Sequence, residues 1–341
     1  MPESVKYNFL NNSKTVSRSL CLYLFNPTFK TNINPVKRAA LFFYIIILTN
    51  LLLTISTIPC YAGQFSEKKT VVTSIYPLFL ISTNLSKGID SYVVENLIPT
   101  GSNPHEYQFK PEDIKRIQKA DLIILTGLAI DEWLIDASKK LFPEKIKHCK
   151  TILKSLDGKL IPVDSGRPDD LKKFNPHFWL DPMMVANVAS NVAAYLAEFQ
   201  PKEKEAIYKN LEIFINRLTE LDLKISEQLS RVKDRPIIVK HNAYDYFARR
   251  YNIKIAGVVE QSHDMPVTPQ YLSKLIKTGR ENKVAAVFGE TGSSNEIEKR
   301  VAEELNAPFA VLDPIETGDL NLDAYAEKML KNAEILVNTV K

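Results

Sequence analysis

Three of the five histidines stand at positions from which a side chain could bind a metal ion. His105 lies in a loop rich in Pro and Gly after a predicted strand, and His241 directly follows another predicted strand. His177 lies in the segment Asn175–Pro182 (NPHFWLDP). Imidazole nitrogens bind zinc and other transition metals, but a single histidine is more often a structural or surface residue. Spacings of 72 and 64 residues match no short zinc motif, so spacing alone is weak evidence. The other two histidines lie in a lysine-rich run and in a polar loop: His148 and His263.

The second half of the chain places a possible metal ligand after each of its predicted strands. These residues are His241, Glu260, Glu290 and Asp313. In open α/β sheets, ligands bind beyond the carboxyl ends of the strands. We therefore expect a cleft lined by four side chains, with His105 and His177 on one side and His241 and Asp313 on the other. Three imidazoles and one carboxylate suit tetrahedral zinc, whereas Ca²⁺ and Mg²⁺ prefer oxygen ligands.

Strands and helices alternate in both halves of the chain, which indicates parallel sheets covered by helices on both faces. The predicted strands are Thr70–Ile75, Tyr92–Ile98, Asp121–Thr126, Pro236–Lys240, Ile253–Val259, Val284–Gly289 and Pro308–Leu312. The predicted fold class is α/β, with two lobes that each contain a mostly parallel sheet flanked by helices.

A long helix is predicted between the lobes. Asp181 and Pro182 form a good helix start, and that helix ends near Gln200. The next helix, Lys202–Val232, carries apolar residues at spacings of three and four, which places them on one face. Such a face could be the seam of a coiled-coil dimer. We favour a rigid helix that joins the two lobes, because both flanking regions are α/β. The predicted boundaries are 1–62 for an export segment, 63–200 for the N-terminal lobe, 201–232 for the linking helix and 233–341 for the C-terminal lobe.

The first 62 residues have the layout of an export signal. Lys37 and Arg38 precede the uncharged run Ala39–Ile58, and small residues follow at Cys60 and Ala62. An uncleaved membrane anchor and a lipid anchor on Cys60 are the alternatives. In each case the remainder of the chain is expected outside the cytoplasm.

Composition excludes several classes of protein. The chain has 341 residues, of which 45% are apolar and 25% charged, enough for two compact domains. Residues 1–62 hold six basic residues and one acidic residue, so the remainder, with 38 basic and 39 acidic residues, is nearly neutral. A nucleic-acid-binding protein would keep a basic folded part. The remainder also has a single cysteine, Cys149, which excludes an internal disulfide there.

Several segments resemble one family, the metal-binding receptors of bacterial ABC importers for zinc and manganese. They are IPTGSNPHEYQFKPEDIKRIQKADLIILTG, LAIDEWL, NPHFWLDP, VKHNAYDYFARRYNI, VAAVFGET and FAVLDP, and the resemblance extends from about Lys69 to Lys341. It implies two lobes bridged by a rigid helix and the metal ligands His105, His177, His241 and Asp313. Zinc-type members carry His at the third position and manganese-type members a carboxylate, so His241 favours Zn²⁺, with Mn²⁺ as the alternative. The resemblance also implies a periplasmic monomer that delivers metal to an inner-membrane permease and its ATPase.

The same residues could instead form a catalytic zinc site, which would make the protein an extracytoplasmic hydrolase. A catalytic zinc keeps one position open, whereas Asp313 is expected to fill it. The chain contains neither an H-E-x-x-H run nor a G-x-S-x-G elbow. We therefore predict a zinc carrier rather than an enzyme, with Glu290 holding a ligand histidine in the required tautomer. An adhesion protein is a third possibility, and it would need no metal site.

Overall fold

The computed structural model describes residues 68–163, 174–260, 266–318 and 323–340, together with a few positions between 34 and 48. The chain divides into two compact units, Met1–Ser66 and Glu67–Lys341, and the second contains all the elements named below. The described residues do not include most of the predicted export segment, with Cys60, or His263. Among the residues described, no helix is both long enough and apolar enough to cross a membrane.

The first lobe contains a four-stranded parallel sheet. Its elements are β1 (Lys69–Thr73), α1 (Tyr76–Leu85), β2 (Tyr92–Asn96), α2 (Pro111–Lys119), β3 (Leu122–Leu125), α3 (Glu132–Leu141) and β4 (Cys149–Thr151). The strand order is β2-β1-β3-β4, and every pairing is parallel. All four residues of β3 (LIIL) are buried, as expected for a central strand with helices on both faces.

The second lobe repeats this arrangement. Its elements are β5 (Ile237–Val239), α6 (Asp245–Tyr251), β6 (Ile255–Val258), α7 (Pro269–Glu281), β7 (Ala286–Glu290), α8 (Glu296–Leu305), β8 (Phe309–Leu312) and α9 (Ala324–Thr339). The order β6-β5-β7-β8 is again fully parallel. The strand order therefore reverses between β5 and β7, which creates a crevice at their carboxyl ends.

Two helices lie between the sheets in sequence, α4 (Pro182–Phe199) and α5 (Lys204–Leu229). Asp181 caps α4 as predicted, because its carboxylate accepts hydrogen bonds from the amides of Met183 (2.9 Å) and Met184 (3.3 Å). Twenty-six residues make α5 about 39 Å long.

The long helix contacts both lobes. In the first lobe, the Asn210 side chain donates hydrogen bonds to the carbonyls of Leu85 and Lys87. In the second lobe, Asp222 accepts from Arg250 and from the hydroxyl of Tyr251. The apolar face of the helix is buried at every predicted position: Ile207, Leu211, Phe214, Leu218, Leu221, Ile225, Leu229 and Val232. These residues belong to one apolar core that extends from the first sheet to the second, so the helix is packed against its own chain.

The predicted fold class is confirmed, and the elements differ mainly at their ends. Each predicted strand is present and one to three residues shorter than expected. In addition, β1 begins one residue earlier than predicted, at Lys69, and β7 ends one residue later, at Glu290. The prediction included neither β4 nor α3, and β4 (Cys149–Thr151) is too short to show a pattern. The domain boundaries remain predictions.

Candidate metal centre

Four side chains from both lobes converge on one point: His105, His177, His241 and Glu316. The ligand atoms that they can offer all lie within 4.8 Å of one another. His177 Nε2 lies 3.0 Å from His105 Nε2 and 3.3 Å from His241 Nε2. Glu316 Oε1 lies 3.3, 3.0 and 3.6 Å from the Nε2 atoms of His105, His177 and His241, respectively. Three imidazoles and one carboxylate oxygen therefore face a common centre.

The first lobe supplies His105 from the loop that follows β2. The backbone amide of His105 donates a hydrogen bond to the Asn103 side chain at 2.9 Å, which shapes the loop at this point. The imidazole remains slightly accessible, with 12% of the side chain exposed. His105 is thus the most accessible of the three histidines at the centre.

His177 is buried and oriented by an amide side chain. The side-chain oxygen Oδ1 of Asn175 accepts a hydrogen bond from the His177 backbone amide at 2.9 Å and lies 2.7 Å from His177 Nδ1. Asn175 is itself fixed, because its side-chain amide donates to the Asn242 carbonyl and to Asp245. An amide oxygen beside Nδ1 requires a proton there, so the Nε2 lone pair points toward the centre.

His241 follows β5 and is oriented by a carboxylate at the end of β7. Its Nδ1 lies 2.6 Å from Glu290 Oε1, and the two side chains are only 4% and 6% exposed. These two strands flank the reversal in strand order, so the pair lies where this fold binds ligands. The pairing again leaves Nε2 directed at the centre, and the predicted role of Glu290 in holding a ligand histidine stays a prediction.

Glu316 comes from the loop after β8, three residues beyond Asp313. The preceding residue, Ile315, is fully buried and has a left-handed backbone with φ of 57°. This turn places the Glu316 carboxylate among the three imidazoles, with 10% of the side chain exposed.

Burial and charge set the protonation of the centre. Burial lowers the pKa of His177 to about 3, although its hydrogen bond to Glu316 acts in the opposite direction. Burial also disfavours the charged form of His241, but Glu290 and Glu316 outweigh it and raise the pKa of His241 to about 10. For Glu316, burial is outweighed by hydrogen bonds with the three histidines, which hold its pKa well below the usual range. At neutral pH, therefore, Glu316 is ionised, His177 is neutral and His241 is the positively charged imidazolium.

The spacing fits a small tetrahedral cation. Zinc binds nitrogen and oxygen ligands at about 2.0–2.2 Å, so adjacent ligand atoms of a tetrahedron lie about 3.3–3.6 Å apart. The five separations given above range from 3.0 to 3.6 Å. A cavity of about 350 Å³ opens beside the centre, and its lining includes carboxylates: Glu106, Glu260, Glu290, Glu296, Glu298, Asp313 and Glu316. Carboxylates outnumber the cations in this lining, which also includes Lys240, so the cavity favours positively charged ions.

The structure brings together three of the four residues expected to bind metal and places Asp313 in other contacts. The Asp313 carboxylate accepts hydrogen bonds from the Ile315 amide at 2.8 Å and from Lys328 Nζ. Glu260 pairs with Lys240 at 2.6 Å. Sequence reasoning did not single out Glu316. The available signal was its position in a loop containing Pro and Gly directly after a strand, which is also the setting of His105.

Comparison with known proteins decides the family. The model of the family described as zinc-uptake complex component A, periplasmic (ZnuA), matches residues 71–339. The chain belongs to this family. Its members are components of metal-uptake complexes, so membership supports the predicted carrier over a hydrolase, and the family description agrees with a location outside the cytoplasm.

Individual relatives are more distant. The zinc-binding lipoprotein AdcA of Streptococcus pneumoniae is 27% identical over 262 residues, which are 74% of this chain and 51% of AdcA. The chain thus spans about half the length of the AdcA proteins that it matches. The iron-binding protein YfeA of Yersinia pestis is 28% identical over 278 residues, or 81% of this chain and 86% of YfeA. A crystal structure of ZnuA superposes with a TM-score of 0.67 at 27% identity, covering 80% of this chain and all of ZnuA.

Proposed function

We propose that this protein captures Zn²⁺ outside the cytoplasm and delivers it to an ABC importer. The observation that carries the proposal is the convergence of three imidazole Nε2 atoms and Glu316 Oε1, with five of their six separations between 3.0 and 3.6 Å, close to the edges of a zinc tetrahedron. His105 and His177 come from one side of the cleft, and His241 and Glu316 come from the other. A bound ion would therefore connect both lobes through protein ligands.

The donor set supports zinc over manganese. Three imidazoles and one carboxylate suit Zn²⁺, whereas Mn²⁺ favours sites richer in oxygen. The relatives named for zinc agree with this choice, although YfeA is named for iron. We propose His105, His177, His241 and Glu316 as the ligands, with Glu290 and Asn175 fixing two of the rings. The sequence-based proposal of Asp313 as the fourth ligand remains the alternative to Glu316.

A carrier also agrees with a site in which four protein groups can fill all four coordination positions of the ion. A hydrolytic zinc needs one position for water, but Glu316 stands at the fourth corner of the cluster. The loaded protein would then dock on a membrane permease whose partner ATPase drives import. We propose that it acts as a monomer in the periplasm, where an N-terminal anchor remains compatible with its role.

Elemental analysis of protein purified without chelators tests this function. We expect about one zinc per chain, and zinc should displace manganese in direct competition. His177→Ala should strongly weaken zinc binding, whereas His148→Ala, a histidine outside the cluster, should leave it unchanged. Stoichiometric manganese that zinc cannot displace would overturn the choice of metal, and unchanged zinc binding by His177→Ala would overturn the site.

A further inference from the structure

The loop that carries Glu316 has an unfavourable backbone conformation. Ile315 has a φ of 57°, a region that β-branched residues rarely adopt because Cβ approaches the neighbouring carbonyl. Such a conformation is energetically unfavourable and persists only where surrounding contacts enforce it. Ile315 is fully buried, and it directly precedes the carboxylate that faces the three histidines. Contacts that hold Ile315 therefore also hold Glu316.

Asp313 and Lys328 supply those contacts. One oxygen of the Asp313 carboxylate accepts a hydrogen bond at 2.8 Å from the backbone amide of Ile315, the strained residue itself. The other accepts from Lys328 Nζ, which reaches the loop from α9. Lys328 also donates to the Thr317 carbonyl at 3.2 Å, on the far side of Glu316. One lysine thus connects the two ends of the turn.

Neighbouring elements fix the base of the turn. The Asn332 side chain donates to the Asp313 carbonyl at 2.7 Å and accepts from the Asp313 amide at 2.9 Å. The Trp179 indole donates to the Pro314 carbonyl at 2.8 Å. The Asn332 and Trp179 side chains therefore hold the backbone at the start of the turn, and the Asp313–Lys328 pair holds the residues that follow.

We propose that Asp313 and Lys328 are positioning residues that hold Glu316 in its metal-facing conformation. This inference rests on the proposed function, because Glu316 must be a ligand for its position to matter. It assigns Asp313 a role different from that of a ligand. One oxygen of the Asp313 carboxylate accepts a hydrogen bond from Lys328, and the other accepts one from the Ile315 amide. Asp313 therefore affects metal binding indirectly, through the conformation of the loop.

Single and double variants separate positioning from direct ligation. Lys328→Met and Asp313→Asn should each weaken zinc binding about 10–100-fold, the usual effect of losing a group that orients a ligand. The double variant should bind no more weakly than the poorer single variant, because the two residues act as one unit. Lys331→Met is the matched control, since Lys331 lies on the same helix and pairs with Glu334 at the surface. It should bind zinc as the parent does.

Two further measurements address folding and geometry. Lys328→Arg keeps the positive charge and should retain most of the parent affinity even if Lys328→Met is poorly folded. Co²⁺ bound to the parent protein should show the strong visible absorption of a four-coordinate site. That absorption should weaken in Lys328→Met and recover in Lys328→Arg, an effect that general destabilisation would not produce.

The outcomes distinguish this inference from the proposed function. If Asp313→Asn weakens binding but Lys328→Met does not, Asp313 is a ligand and the positioning role is wrong. If both variants bind as the parent does while His177→Ala and Glu316→Ala lose zinc, only the inference fails. If His177→Ala and Glu316→Ala also retain full affinity, the proposed function itself fails.

Discussion

Replacing Glu290 with Gln tests whether a carboxylate behind a ligand histidine contributes to metal affinity. Glu290 Oε1 lies 2.6 Å from His241 Nδ1, and the two side chains are 4% and 6% exposed. Gln has nearly the same shape and can still accept the Nδ1 hydrogen bond. The substitution therefore removes the negative charge and largely preserves the geometry.

The expected loss follows from the burial of this pair. A charge-assisted hydrogen bond is roughly twice as strong as a neutral one, and solvent screens it little at such low exposure. Removing the group that orients a metal-bound histidine typically lowers affinity about 10–100-fold, or about 1.4–2.7 kcal/mol. We expect Glu290→Gln to fall within this range for zinc.

Competition against a chromophoric zinc chelator measures the change directly. Glu260→Gln is the matched control, because Glu260 lines the same cavity but contacts Lys240 instead of a proposed ligand. It should change zinc affinity by much less. Equal losses in the two variants would show that the cavity's overall charge matters, and the proposed role of Glu290 would then be wrong.

Three other predictions follow from the same contacts. Because burial is outweighed by Glu290 and Glu316, the pKa of His241 is about 10, and zinc must displace one proton from this ring at neutral pH. Zinc affinity should therefore rise about tenfold per pH unit between pH 7 and pH 9. A zinc affinity that calorimetry finds constant over this range would contradict the prediction. Asp222→Ala removes the acceptor for Arg250 and Tyr251 and should lower the free energy of unfolding by about 1–3 kcal/mol in urea titrations. Asp181→Ala removes the cap of α4 and should cost about 0.5–2 kcal/mol by the same measurement.

The fold was predictable because its signals are local and repeated. The burial of α5 follows from apolar residues spaced three and four apart, and the Asp181 cap follows from residue type and position. The ends of the strands were harder to predict, because apolar residues continue beyond them. The strand Ile255–Val258, for example, is followed by Val259, which is buried but lies outside the strand. β4 was missed because three half-buried residues show neither alternation nor a continuous apolar run.

The site was only partly predictable, for a physical reason. His241 and Glu290 lie at the ends of β5 and β7, where parallel strands direct them to a common edge. The same reasoning selected Asp313, the first residue after β8. It could not detect that Ile315 adopts a left-handed conformation, since Gly and Asn are the residues usually expected there. Nor could it detect Lys328, fifteen residues further along, which pairs with Asp313.

A crystal structure of the zinc-loaded protein, with anomalous scattering at the zinc edge, tests the central claim most directly. We expect one peak about 2.0–2.2 Å from the Nε2 atoms of His105, His177 and His241 and from a carboxylate oxygen of Glu316. A peak bound by Asp313 in place of Glu316 would contradict the fourth ligand. A zinc ion that leaves any of the three imidazoles uncoordinated would contradict the site as a whole.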